Sequence, residues 1–479
     1  MENTGLKGEM KMNRYPDRLR VPAQYEGSQR GNPLSEAVPD MLSYEELMDR
    51  LASKPLRPEG LNDMSSSERR TALTNLNNLF IPMDYMYAIY DTLYRAMLSS
   101  YSNLSLINMV AQQNDLFLGR QTKQFSTQAE SCSILGVPGI GKTSTIRRCL
   151  HQIPQVIEHT EYRGEMLYCK QVLYLMVECP SDCSVKTLAC SIFSALDQAI
   201  GSHYFDQFGK GGKLSVSAAT TQIKILCMTH HIGLILVDEI QNAVTTAQKQ
   251  HQVRPLVKFL VELTNDTSTG VCFIGTGLAE EIFAEQEHLR RRTRGLRLTP
   301  MKPGAAYHRF LSELWKNQYT EEQAPLSEST ANRIYDQSGG IPAYITAIFR
   351  ESQAHALLTG KKCIDTDSIQ YAVESLGLFV PKTFAKGVPI SEISIKGDEM
   401  PKLGCKSKAG SDKQACEETA VLTGASSVFG DSVCKRSYAV KRGRKPIPRD
   451  KEDILVAYEN DEDVFEFLMR NGMAETVVD

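Results

Sequence analysis

A chain of 479 residues exceeds one ordinary core, since domains run about 100–200 residues, so one large domain, a satellite and tails are expected. A hydrophobic content of 42% with 23% charged residues fits a globular protein, and no apolar run approaches the ~20 residues that cross a bilayer. A formal net charge of -3 excludes a globally basic nucleic-acid binder but allows a local basic surface.

The N-terminal segment has no apolar stretch of the kind a secretory signal needs, so a cytoplasmic setting without membrane contact is expected. The 12 cysteines are scattered, without a C-x-x-C pair, which argues against both a zinc site and a disulfide framework.

Residues 1–60 are rich in Pro, Gly and charge and read as extended chain docked on something larger. Residues 66–111 turn helical, with Met86, Ile89, Tyr90, Leu93 and Met97 near the 3.6-residue period. Strands are predicted at 131–136, 171–178, 232–237, 271–275 and 295–299, and helices after the 136–141 turn and at 185–200, 223–229 and 255–264. Continuous apolar strands alternating with helices predict an α/β fold, a parallel sheet covered on both faces. From 305 to 376 only helices are predicted, at 305–318, 327–337, 343–358 and 365–376, forming a small helical lid. Residues 401–434 have Gly/Ser/Ala linker composition. Residues 435–449 carry seven basic side chains and no acidic one, and 450–479 carry ten acidic and two basic. The expected organisation is an N-terminal extension (1–110), a large α/β domain (111–300), the lid (301–380), a linker (381–434) and a basic-then-acidic tail (435–479).

The strongest chemical signal is G-x-x-x-x-G-K-T, Gly136, Val137, Pro138, Gly139, Ile140, Gly141, Lys142 and Thr143, with Ser144 next in the following helix. Such a turn wraps backbone N–H groups around phosphates, its lysine reaches the β- and γ-phosphates, and its threonine hydroxyl meets Mg²⁺. The apolar strand 232–237 then ends in Asp238 and Glu239. Two carboxylates there suit a Mg-nucleotide, Asp238 holding the metal through water and Glu239 polarising the attacking water. Thr276 stands at the tip of the next strand, either orienting that water or serving as a turn threonine. Arg290, Arg291, Arg292, Arg294 and Arg297 cluster before the fifth strand. They read either as an arginine finger, with Arg291 or Arg292 offered to a neighbouring subunit, or as a basic face.

These segments resemble the AAA+ ATPases of the TnsC/TniB kind, regulators of transposition in TnsABC-type elements. GVPGIGKT, LILVDEIQN (234–242), FIGTG (273–277) and HLRRRTRG (288–295) are similar to that family's Walker A, Walker B, sensor-1 and arginine-finger segments. Residues 25–34, ending in GNPL, are similar to its N-terminal segment, and the pairing of DEIQN with GNPLSEAVP is the more specific part. The resemblance runs from about 25 to 376. It departs from the pattern at SGGIPAYI (338–345), where Ala343 stands in place of a sensor-2 arginine.

The resemblance implies an AAA+ P-loop ATPase using ATP and Mg²⁺, and homo-oligomeric rings or helical filaments on double-stranded DNA in a bacterial cytoplasm. It implies a bridge between a TniQ/TnsD-like target selector and a TnsB-like transposase, and the long tail adds a TnsA-like endonuclease. Lys186 and Lys258 are candidate DNA contacts, each equally readable as part of a solvated helix face. KRGRKP (441–446) resembles an AT-hook, with Arg442 and Arg444 suited to a narrow minor groove, or is a solvated linker. The acidic tail reads as a docking peptide. The alternative function is a signalling or defence P-loop ATPase that switches protein partners without DNA. A small-molecule kinase fits neither the helical lid nor the arginine cluster.

Overall fold

The structure, a computed structural model, describes residues 20–25, 32–102, 129–182, 184–210, 215–242, 253–280, 295–379 and 387–395, with short stretches between 114 and 120. All lie in one compact unit, Met1–Lys406. The linker, the basic segment with Arg442 and Arg444, and the acidic tail fall outside the described residues, as do Arg290, Arg291, Arg292 and Arg294.

The N-terminal region begins with a short strand β1 (Arg20–Pro22), then helices α1 (Pro33–Glu36), α2 (Tyr44–Leu51), α3 (Ser66–Ala72) and α4 (Asp84–Ser99). Over 33–51 this corrects the reading of 1–60 as extended chain. Asn32 accepts the Leu34 N–H and Pro33 occupies the first turn, so α1 starts there. A capping box between Ser43 and Glu46 starts α2. Leu34, Leu47 and Leu51 are 0% exposed, so these short helices are nailed into the core rather than laid on it. On α4 the expected face, Met86, Ile89, Tyr90, Leu93 and Met97, is buried.

The P-loop strand β2 (Ser131–Gly136) runs into helix α5 (Lys142–Leu150). Two strands that the sequence reading missed follow, β3 (Val156–Tyr162) and β4 (Glu165–Val172), an antiparallel hairpin completed by β1 into a separate three-stranded sheet. Its turn is Arg163-Gly164, both at positive φ (53° and 85°), the twist a two-residue hairpin needs. The expected strand 171–178 is therefore two. Gln171 and Val172 end the hairpin, and β5 (Tyr174–Glu178) enters the main sheet.

Helices α6 (Val185–Ile200) and α7 (Val216–Thr229) precede β6 (Leu234–Asp238), and α8 (Val253–Thr267) precedes β7 (Gly270–Gly275) and β8 (Gly295–Thr299). Helix α7 starts seven residues before the expected 223 because Ser215 caps it through the Ala218 N–H. The lid is α9 (Ala305–Trp315), α10 (Glu328–Ser338), α11 (Pro342–Leu358) and α12 (Thr366–Leu376), and an unforeseen edge strand β9 (Val388–Pro389) closes the sheet. The order is β5-β6-β7-β2-β8-β9, with every pairing parallel. Strand β7 thus lies between the P-loop strand and the Asp238 strand, and the carboxyl ends of all three open on one crevice, where α/β sheets bind ligands. Among the described residues no helix is long and apolar enough to cross a membrane.

Three histidines lie in or beside the hairpin, His159 buried and His230 and His231 half-buried. His159 meets the Tyr25 hydroxyl and Gln171 Oε1, each at 2.9 Å. Burial pushes His159 below its ordinary range, and burial with neighbouring positive charge pushes His230 and His231 down to about 4. Each is neutral when folded and, below the unfolded value near 6.5, gains a proton on unfolding, so its contribution is complete above that value and is lost as pH falls through the window below it, which for His230 and His231 ends at about 4. Urea midpoints should therefore drop between about pH 6.5 and 5, before most carboxylates titrate, at roughly 1.4 kcal/mol per unit for each fully shifted group. A flat profile over that interval would contradict this.

Candidate nucleotide site

The loop between β2 and α5 is shaped by two glycines in the left-handed region, Gly139 at φ 79° and Gly141 at φ 93°. Val137 and Ile140 point inward, 2% and 0% exposed, and leave Pro138 and Gly139 at the exposed tip. Gly141 is the N-cap of α5 and supplies no side-chain cap, whereas α2, α3, α6 and α7 all start on a capping serine. The first-turn N–H groups, from Lys142 through Ser144, therefore have no intrahelical partner and carry the positive end of the helix dipole.

The Lys142 ammonium donates to Gly136 O at 2.7 Å and Val137 O at 3.2 Å. Burial lowers its pKa to about 8, opposed in part by the charges of Glu239 and Asp238. The Thr143 hydroxyl donates to Asp238 Oδ2 at 3.0 Å, joining the two phosphate-and-metal segments of the sequence. Asp238 is held from two further sides, its Oδ1 by the Glu239 N–H at 2.9 Å and its carbonyl by the Cys179 N–H at 2.8 Å. Glu239 sits at φ 54°, off the strand path, with its carboxylate on the Gln241 amide. Thr276 Oγ1 is buried without a hydrogen-bond partner among the described residues, while its N–H donates to Gln241 Oε1 at 3.0 Å.

Two contributions from outside the sheet were not foreseen. Tyr85, on α4, is 1% exposed and donates its hydroxyl to Ile140 O at 3.0 Å, bracing the loop from the N-terminal region. The only sequence signal was its place beside the buried stripe of α4. The lid reaches the loop through backbone, since Ala343 N–H donates to Gly139 O at 3.1 Å. Ala343 thus stands over the loop with a methyl group where a sensor-2 arginine would bring charge.

The structure gathers Gly136 through Ser144, Asp238, Glu239 and Thr276 in one place. It sets Lys186 apart, half-buried in the first turn of α6, and Lys258 on α8, ion-paired with Glu262 at 3.6 Å. Of the arginine cluster only Arg297 is described, and it pairs with Glu280.

The residues fit a Mg-nucleotide on three observations: an uncapped helix N-terminus at the loop, a threonine hydroxyl meeting an aspartate, and an orphaned buried hydroxyl at Thr276. Phosphates beside Lys142 raise its pKa from about 8, so binding takes up a proton. Nucleotide affinity should fall as pH rises through about 8, by up to tenfold per unit. Calorimetric titration in buffers of different ionisation heat measures the uptake, and affinity indifferent to pH between about 7 and 9 would contradict it.

A family model described as an AAA domain matches residues 126–283. No curated protein matches the chain. Among solved structures, the chain is similar to a Walker-type ATPase of Pyrococcus abyssi (14% identity, covering 51% of this chain and 67% of that one, TM-score 0.35). It is also similar to the ORC2 protein of Aeropyrum pernix, solved in ADPNP-ADP complexes (12% identity, 56% and 66% covered, TM-score 0.33). A third likeness is to the RuvB Holliday junction branch migration motor of Thermotoga maritima (13% identity, 56% and 67% covered, TM-score 0.29). The chain therefore spans about two thirds of each of these proteins. Its sheet order, loop and lid, with the family match, give it the AAA+ P-loop ATPase fold, and an AAA domain implies nucleotide binding.

Proposed function

We propose that this chain is an ATP-dependent regulator of DNA transposition. It oligomerises on double-stranded target DNA as a ring or helical filament and links a TniQ/TnsD-like target selector to a TnsB-like transposase and a TnsA-like endonuclease. ATP hydrolysis controls assembly and release.

In this reading the loop N–H groups and Lys142 hold the phosphates, and Thr143 with Asp238 holds Mg²⁺. The ion, when bound, neutralises developing charge on the phosphate oxygens. Glu239 accepts the proton of the attacking water, and the Thr276 hydroxyl orients that water. Arg291 or Arg292 serves the site of a neighbouring copy. Lys186, Lys258, Arg442 and Arg444 are the proposed DNA contacts, few per subunit but summed over an assembly.

The supporting observation is that both segments of the more specific motif pair are built into the ATPase. Leu34 of GNPL is 0% exposed and its carbonyl accepts from Gln171 Nε2 at 2.9 Å, while Asn32 Nδ2 donates to Tyr101 O at 3.0 Å. From DEIQN, Gln241 joins Glu239 to Thr276, and Asn242 Nδ2 donates to Cys179 O at 3.3 Å. The test is ATP turnover with and without duplex DNA. Stimulation by duplex of any sequence supports the proposal. Turnover indifferent to DNA at all protein concentrations would instead favour a protein-binding switch of the signalling or defence kind.

A further inference from the structure

Among the described residues, Glu239 is held by few hydrogen bonds. Its backbone leaves the strand at φ 54°, and its N–H is used on Asp238 Oδ1. Its carboxylate accepts from Gln241 Nε2. The other end of the same amide, Oε1, accepts from the Thr276 N–H at 3.0 Å. The orientation of this amide is chemically forced. A backbone N–H can only donate, so the oxygen must face Thr276. An ionised carboxylate can only accept, so the nitrogen must face Glu239.

The turn that carries Gln241 is tied down on both sides. Ile240 is 0% exposed and its N–H donates to Ile274 O on β7 at 3.0 Å. Asn242 N–H closes onto Glu239 O at 2.9 Å, and its side chain reaches Cys179 O beyond β5. Across the gap lies Gly275. A Cβ there would stand 2.5 Å from Gln241 Oε1 and 2.8 Å from Ile240 Cγ2. Only glycine leaves room for the amide to lie between the two strand ends.

From this we infer that Gln241 is a positioning residue that sets the spacing between the Glu239 carboxylate and Thr276. It acts through them without touching nucleotide. The inference rests on the hydrolytic reading above, in which these two residues flank the attacking water. It assigns Gly275 a matching role, keeping space for the amide. Loss of the bridge frees Glu239 to rotate and loosens the strand tip that carries Thr276. The loop, Lys142, Thr143 and Asp238 keep their own contacts, so nucleotide still binds.

The test compares Gln241→Ala, Gln241→Glu, Gly275→Ala and the Gln241→Ala/Gly275→Ala double variant of the full chain. Nucleotide affinity, ATP turnover and Tm are measured for each. The expected result is a kcat loss of roughly 10–100-fold in each single variant, the range of lost supporting contacts, with nucleotide Kd within about threefold of the parent. The double variant should be no slower than the worse single one, because both changes remove one interaction. Gln241→Glu keeps the length of the side chain but has no N–H to give the Glu239 carboxylate, so it should lose kcat as the alanine variant does. A merely structural role would lower Tm and raise Kd in step with the loss of kcat. Parental kcat in Gln241→Ala, or additive losses in the double variant, would overturn the inference. Absence of ATP turnover in the parent protein would instead overturn the hydrolytic reading, and this inference with it.

Discussion

Replacing Glu239 with glutamine should leave nucleotide binding intact and slow ATP turnover by roughly 10²–10⁴-fold, the usual contribution of a positioned general base. The amide has the carboxylate's shape but cannot accept a proton at neutral pH. Asp238 keeps its bond from the residue-239 N–H, and Thr143 keeps its bond to Asp238, so the phosphate and metal side of the site is untouched. One contact changes in kind. Gln241 donates to the carboxylate, and a glutamine at 239 can present either its oxygen or its nitrogen, so the bridge is retained in one orientation. Assemblies formed with ATP should then persist, because hydrolysis no longer releases them. Single-turnover chemistry measured beside equilibrium nucleotide binding separates the two effects, and parental turnover would remove Glu239 from the role of base.

Lys142→Ala should abolish useful nucleotide affinity. Truncating one partner of a buried charge pair costs about 2–5 kcal/mol, or roughly 30- to 5,000-fold in Kd. The lysine donates to the carbonyls of Gly136 and Val137, and burial lowers its pKa to about 8. Its charge is therefore costly to the free protein and becomes favourable when phosphates arrive. The alanine variant should accordingly be at least as heat-stable as the parent while failing to bind. A parallel loss of Tm would point to a structural role for the lysine, and retained micromolar affinity would displace it from the phosphates.

Much of the fold was legible because each core strand is a short apolar run ending at a turn, as 131–136, 271–275 and 295–299 show. The lid helices were legible from caps and breakers such as Gly339-Gly340 before Pro342. The hairpin Val156–Tyr162 and Glu165–Val172 was not, since its alternation is masked by His159 and Gln171, polar residues that are buried. Their burial depends on Tyr25 and Leu34, more than a hundred residues earlier, which no local window contains. Composition misled for residues 1–60, where Pro33 and Ser43 mark helix starts rather than extended chain.

At the candidate site, the loop and the Asp238-Glu239 pair could be read from spacing alone. That Thr276 lies between them could not, because it follows from the insertion of β7 between β2 and β6. Gln241 and Tyr85 were invisible for a related reason. Their roles come from an amide spanning two strand ends and from a helix packed across the loop, and neither leaves a local pattern.

Nucleotide-driven assembly on DNA is the central claim, and electron microscopy of the Glu239→Gln protein tests it most directly. The protein is imaged with ATP and Mg²⁺, with and without duplex DNA, and again with ADP. Closed rings or helical filaments wound on duplex with ATP, and their absence with ADP or with Lys142→Ala, are the predicted result. Protein that binds ATP yet stays dispersed beside bare duplex at every concentration would contradict it.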